Sequence, residues 1–131
     1  MVCPVCKESM IALELHEIEI DYCGSCEGIW LDDGELEALL EDSETKEKLL
    51  DTFTIVKHPG EKSHRCPVCR KRMQKVLVGD HEKVMIDQCK RGHGFWFDRG
   101  ELHQVIESGS RNSDDRVLKL LKEMFNYKLN N

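Results

Sequence analysis

With 131 residues, seven of them cysteine, and a formal net charge of −6, the chain is too short for several ordinary hydrophobic domains and too acidic as a whole for a general nucleic-acid binder. No apolar run is long enough to cross a membrane, and Met1 leads straight into a Cys-Pro-Val-Cys sequence, which does not read as a secretory leader. The expectation is a cytoplasmic protein with reduced thiols, and an odd cysteine count fits disulfides poorly.

All the cysteines fall into two similar blocks. The first runs from Cys3-Pro-Val-Cys6 to a second pair, Cys23 and Cys26; the second runs from Cys66-Pro-Val-Cys69 to Cys89. Between Cys6 and Tyr22, the apolar positions Ile11, Leu13 and Leu15, then Ile18, Ile20 and Tyr22, alternate and predict a two-stranded hairpin turning near His16 and Glu17. Ile29 to Leu31 reads as a third short strand. A helix follows, with Asp32 as its cap, Glu35 as the reciprocal acid of a capping box, and Leu36, Leu39 and Leu40 on its apolar face. Residues 1–42 thus form a first metal-stapled unit.

Residues 43–63 read as a linker with a short charged helix, capped by Ser43 and carrying Leu49, Leu50 and Phe53, before the loop at His58 to Ser63. Residues 64–108 repeat the first unit. Val76 and Val78, a turn at Gly79 to Glu82, and Val84 and Ile86 make the hairpin; Phe95 to Phe97 make the third strand. Asp98 and Glu101 cap a helix with Leu102, Val105 and Ile106 on one face. After a polar break from Ser108 to Ser113, an amphipathic helix is expected over 113–129, with Val117, Leu120, Leu121, Met124 and Phe125 in one stripe. That stripe either packs on the two units or forms a homodimer contact. The fold class is a small metal-stabilised α+β protein.

Units of about 45 residues bury too little apolar surface to fold on a core alone, so the cysteines are expected to hold metal. Cys-x2-Cys turns aim two sulfurs at one point, and two such turns complete a tetrahedral set. Sixteen residues separate Cys6 from Cys23 and nineteen separate Cys69 from Cys89, both ordinary for zinc. Site 1 is therefore Cys3, Cys6, Cys23 and Cys26, with a disulfide or redox pair as the alternative. In the second copy Gly92 stands where the fourth cysteine is expected, and His93 follows it. Site 2 is read as Cys66, Cys69, Cys89 and His93, with His64, His81 and His103 as competitors. The expected cofactors are two zinc ions; iron suits an all-thiolate site less well here. If no histidine completes site 2, an open metal position would remain for chemistry.

Charge is unevenly shared. Residues 1–60 carry −11 and residues 61–131 carry +5. In the second unit Arg65, Arg70, Lys71, Arg72, Lys75, Lys90 and Arg91 form a candidate basic patch. Phe95 and Phe97 beside it would suit either base stacking or core packing. Trp30 and Trp96, at equivalent positions, are read as core residues covering the metal turns, each indole N–H on a carbonyl.

The pattern Cys-x2-Cys, then Ile-Asp-x-Cys-x2-Cys-x-Gly-x-Trp-x-Asp-x-Gly-Glu-Leu, resembles the TFIIB-type zinc ribbon, or transcription factor zinc-finger family. It runs through Cys3, Cys6, Ile20, Asp21, Cys23, Cys26, Gly28, Trp30, Asp32, Gly34, Glu35 and Leu36, and again from Cys66 to Leu102 with Gly92 and His93 replacing the last cysteine. The resemblance implies tandem zinc ribbons and zinc binding; transcription is suggested only by analogy of fold. Three functions are left open: a protein-interaction adaptor, nucleic-acid binding through the second unit, and an enzyme using an open metal position.

Overall fold

The computed structural model describes residues 1–15, 17–40, 46–79 and 83–109. The elements in chain order are β1 (Ile11–Leu15), β2 (Ile18–Tyr22), β3 (Ile29–Asp32), α1 (Glu35–Leu39), α2 (Lys46–Leu50), β4 (Thr54–Val56), β5 (Gln74–Val78), β6 (Val84–Gln88), β7 (Gly94–Phe97) and α3 (Glu101–Gly109). The helix expected over 113–129, the Ser43 cap and His81 lie outside the described residues.

Alternation places two kinds of side chain on the two faces of every strand. Ile20 and Tyr22, Val76 and Val78, Val84 and Ile86, and Phe95 and Phe97 point to one face, where Leu36, Leu39 and Leu40, Leu49, and Leu102, Val105 and Ile106 cover them. The other face carries Trp30 and Trp96 against Cys3, Cys23, Cys66, Cys89 and Met73. Hairpins β1–β2 and β5–β6 form as the alternation predicts, with Leu13 opposite Ile20 and Val76 opposite Ile86. Glu17 takes the left-handed backbone (φ 66°) that the first tight turn requires.

Two features depart from a picture of independent units. First, the third strands of the two copies pair with each other, antiparallel, with Trp30 opposite Trp96. The seven strands among the described residues therefore form one sheet in the order β1-β2-β3-β7-β6-β5-β4. The register exchanges one copy for the other: Ile29 faces Phe97 and Leu31 faces Phe95. Each unit, too small for a core of its own, completes its core on the other. Second, the linker is not merely a helix and a loop. Thr54 to Val56 form β4 on the outer edge of β5, and Leu49 of α2 is buried.

The join is tight at two glycines. A β-carbon on Gly28 would lie 2.2 Å from Cζ2 of Trp96, and one on Gly94 would lie 2.1 Å from the Leu31 carbonyl and 2.8 Å from Cζ2 of Trp30. Each tryptophan thus closes over the glycine of the other copy. Glu27 and Arg99 add an ion pair across the join at 2.8 Å, and the Asp33 N–H donates to the His93 carbonyl at 3.0 Å.

Two sequence expectations about polar groups are corrected. Neither indole binds a backbone carbonyl. Trp30 Nε1 donates to Asp32 Oδ1 at 2.9 Å, and Trp96 Nε1 donates to Asp98 Oδ1 at 3.0 Å. With its carboxylate on the tryptophan, Asp32 is not the side-chain cap of α1. That helix starts at Glu35 after Gly34, which has φ 89° and offers no side-chain cap. The other half of the expected box does form: the Asp32 N–H donates to Glu35 at 3.0 Å and the Asp98 N–H to Glu101 at 2.8 Å. Asp32 lies two residues before Gly34, the residue at the N-cap position, and its Oδ1 serves the buried indole, which needs an acceptor.

Gly28→Ala is expected to lower stability by roughly 1–3 kcal/mol through overpacking against Trp96. Chemical denaturation of the zinc-loaded protein measures it, and an unchanged midpoint would contradict the reciprocal packing.

Candidate metal centres

Each Cys-Pro-Val-Cys segment folds back so that its first thiol receives backbone N–H groups. The Val5 and Cys6 amides both donate to Cys3 Sγ at 3.3 Å, and the Val68 amide to Cys66 Sγ at 3.4 Å. The second turn of copy two does the same, with the Arg91 amide on Cys89 Sγ at 3.4 Å. Lys7, Glu27 and Arg70 adopt positive φ near 65° where these turns reverse. Amides aimed at sulfur stabilise thiolate, which is the form that binds metal.

The structure brings Cys3, Cys6, Cys23 and Cys26 together, and separately Cys66, Cys69, Cys89 and His93, with all ligand atoms of each group within 4.8 Å of one another. Cys3 Sγ and Cys26 Sγ are 3.7 Å apart, and Cys69 Sγ and Cys89 Sγ are 3.8 Å apart. A disulfide needs about 2.05 Å, whereas sulfurs on one tetrahedral zinc with bonds of about 2.3 Å sit about 3.8 Å apart. All seven cysteines are free thiols. His93 turns Nδ1 toward the sulfurs, 3.4 Å from Cys89 and 3.9 Å from Cys66, as a fourth ligand would. The donor sets therefore fit two zinc ions: four thiolates in site 1, three thiolates and one imidazole in site 2.

Electrostatics in the thiol clusters point the same way. Burial works to raise Cys23, but N–H donation from Cys26 and Ser25 outweighs it and brings the thiol down to about 7. Burial pushes Cys26 strongly up and Cys66 up to about 11. Crowded thiols cannot all ionise without a cation among them, and a divalent metal supplies it.

Of the competing histidines, His64 and His103 are engaged elsewhere, and His81 lies outside the described residues. His64 Nε2 lies 3.8 Å from Asp98 and His103 Nδ1 lies 3.6 Å from Glu107. The candidate basic patch loses one member. Lys75 is 3% exposed and bonds Asp87 at 2.6 Å and Glu61 at 3.0 Å. Burial would lower its ammonium, but these two carboxylates outweigh that and raise it above the usual lysine value. Asp87 also accepts the His64 N–H at 2.8 Å, so the pair ties β5 and β6 to the segment before Cys66. The spacing of lysines alone could not reveal this; the aspartate directly opposite Lys75 in the hairpin register was the available signal. Arg65, Arg70, Lys71, Arg72, Lys90 and Arg91 are exposed around the second metal turn. Arg65 Nη1 donates to the Arg70 carbonyl and Arg72 Nη1 to the Ser63 carbonyl. Phe95 and Phe97 are buried, and Phe95 meets Phe53 edge-on at 5.6 Å, so they form core and not a stacking platform.

Residues 2–42 and 65–108 match the transcription factor zinc-finger family of zinc ribbons, together about two thirds of the chain. The chain belongs to that family. Neither a curated protein nor a solved structure matches it. The family's zinc ribbon occurs here twice, and the two zinc sites lie on the tryptophan side of the shared sheet.

Metal analysis of the zinc-ribbon protein is expected to give two zinc ions per chain. His93→Ala is expected to reduce this to between one and two with weakened site 2 affinity, His93→Cys to restore two, and a strong chelator to unfold the chain, since such sites contribute about 10–16 kcal/mol in small peptides. Retention of full structure without metal would contradict this.

Glu101 carries a second, independent prediction. Burial, and then the charge of Asp98, hold its carboxyl up to about 7 from the ordinary 4.5, against the lowering effect of the Asp98 N–H. A raised carboxyl stabilises the fold while protonated; that contribution is full below 4.5 and is lost as pH rises through 7. Glu101→Gln keeps an acceptor for the Asp98 amide. It is expected to raise the melting temperature at pH 8 by a few degrees and to leave it unchanged near pH 5, at matched zinc content.

Proposed function

We propose that this zinc-ribbon protein is an interaction adaptor whose metals are structural and whose product is a pair of surfaces held in fixed relation by one sheet. The observation that carries the reading is the fourth donor of site 2. With His93 Nδ1 facing the three sulfurs, both sites offer four protein ligands, and neither keeps the open position that metal catalysis uses. What remains for function is surface, and the surfaces differ in charge: the first copy is acidic and the second metal turn is ringed by six exposed cations. Such a pair suits a protein partner of mixed charge. Seven reduced thiols fit a cytoplasmic setting. Among the described residues no helix is long and apolar enough to cross a membrane. A role in transcription rests on the family description alone.

A second reading has its own support. Arg65, Arg70, Lys71, Arg72, Lys90 and Arg91 surround the second metal turn, and cationic turns of this kind suit phosphates. The two readings are separated by binding of the zinc-loaded chain to a single-stranded oligonucleotide across a salt series. Six phosphate contacts would give a slope near roughly −4 in log K against log salt. The adaptor reading expects weak binding with a shallow slope, and a protein partner captured by cross-linking in the presence of nuclease. A steep slope with partner capture abolished by nuclease would overturn it in favour of nucleic acid.

A further inference from the structure

We propose that the outer edge of β1 is a docking site for an extended basic segment of a partner protein, which joins the sheet beyond β1 and lays a lysine or arginine over Ala12 against Asp21. This deepens the adaptor reading and rests on it.

The protein contains its own comparison. Aligned on the cysteines, β1 corresponds to β5, with Ala12 at the place of Lys75, Leu13 at that of Val76 and Glu14 at that of Leu77. The outer edge of β5 is covered by β4, which sets Ile55 opposite Val76 and Val56 opposite Lys75. β1 is the other end of the sheet, and among the described residues no strand pairs with its outer edge. The consequences show in exposure. Val76 is fully buried, whereas Leu13 is half-buried and Ile11 is 54% exposed. An edge strand offers a row of unpaired N–H and C=O groups, and strand addition is a recurrent way to bind an extended peptide.

Charge selects the occupant. In the second copy Asp87 is neutralised by Lys75 directly opposite. In the first copy the equivalent carboxylate, Asp21, stands opposite Ala12; among the described residues no cation lies within 4.0 Å of it, and the N-terminal ammonium acts on it only from farther away, against the charges of Asp32 and Glu19. Glu14 and Glu19 face each other on the same side of the hairpin, where the second copy has Leu77 and Met85. Like charges directly opposite cost stability, and a cation from outside relieves them. A strand beyond β1 would lie about 4.8 Å from it, and β2 lies about as far on the inner side. The four-carbon stem of a lysine opposite Ala12 crosses a single methyl group to reach Asp21. Pairing with the β1 edge of a second copy is disfavoured, because it brings two glutamate-bearing edges together.

The test is an NMR titration of the full, zinc-loaded chain with a short peptide alternating Lys and Val, an acidic peptide alternating Glu and Val, and the basic peptide N-methylated at alternate backbone amides. The expected result is shift changes centred on residues 11–15 and 18–22, at least tenfold weaker binding of the acidic and N-methylated peptides, and at least tenfold weaker binding of the basic peptide to Ala12→Lys, which supplies the missing cation internally. Zinc content of two per chain verifies that the variant is folded. No shifts at β1, or equal binding to Ala12→Lys or of the N-methylated peptide, overturns the proposal; the acidic edge then serves only to prevent strand pairing. A protein partner cross-linked equally well by Ala12→Lys also overturns it while leaving the adaptor reading intact. Absence of any protein partner removes the adaptor reading, and the peptide titration still decides whether the edge binds.

Discussion

The antiparallel pairing of β3 with β7 places Trp30 opposite Trp96, and most of the structure depends on that contact. It converts two chain segments, each too small to bury a core, into one sheet with a helix-covered face and a metal-bearing face. The contact is possible because each copy offers a glycine where the other copy's indole must lie. It is held in place because each indole N–H has a carboxylate two residues further along the chain. In the first copy this carboxylate, Asp32, is not the helix cap: α1 starts at Glu35 after Gly34, a glycine with positive φ.

The metal and the sheet divide the work of stabilisation. Thiolate coordination fixes the turns that carry Cys3, Cys6, Cys23 and Cys26, and those that carry Cys66, Cys69, Cys89 and His93, while the shared sheet fixes the position of one site relative to the other. Stability in this protein therefore does not come from metal alone. The helix-side core draws on Leu36, Leu40 and Ile20 of one copy and on Phe97, Leu102 and Ile106 of the other. Each ribbon contributes half of an interior that neither has by itself.

Internal duplication also makes the differences between the copies informative. In the second hairpin Lys75 neutralises Asp87 and also bonds Glu61, and β4 covers its edge. The first hairpin has Ala12 and Asp21 at the same places and no covering strand among the described residues. The second metal turn keeps six exposed cations where the first carries Lys7, Glu8 and Glu27. The two copies of one fold thus differ in charge at corresponding places, with Glu8 where the second copy has Lys71 and the neutral Val2, Ser9, Gly24 and Ser25 where it has Arg65, Arg72, Lys90 and Arg91, and the adaptor reading is built on this difference within one sheet.

The ligand sets, the two hairpins, the third strands and the apolar helix faces were legible in the sequence, because each follows from spacing along a few neighbouring residues: two residues between thiols, period two in a strand, three or four in a helix. The family resemblance rests on the same local spacing. What the tertiary structure alone decided is where non-local partners meet. That Trp96 closes over Gly28, that Lys75 turns inward to Asp87, that Thr54 to Val56 pair with β5, and that Phe95 and Phe97 face the helices all depend on residues distant in sequence coming together. Local spacing determines which face a side chain takes; only the assembled sheet determines what stands opposite that face, because pairing between strands is set by burial and register over the whole molecule.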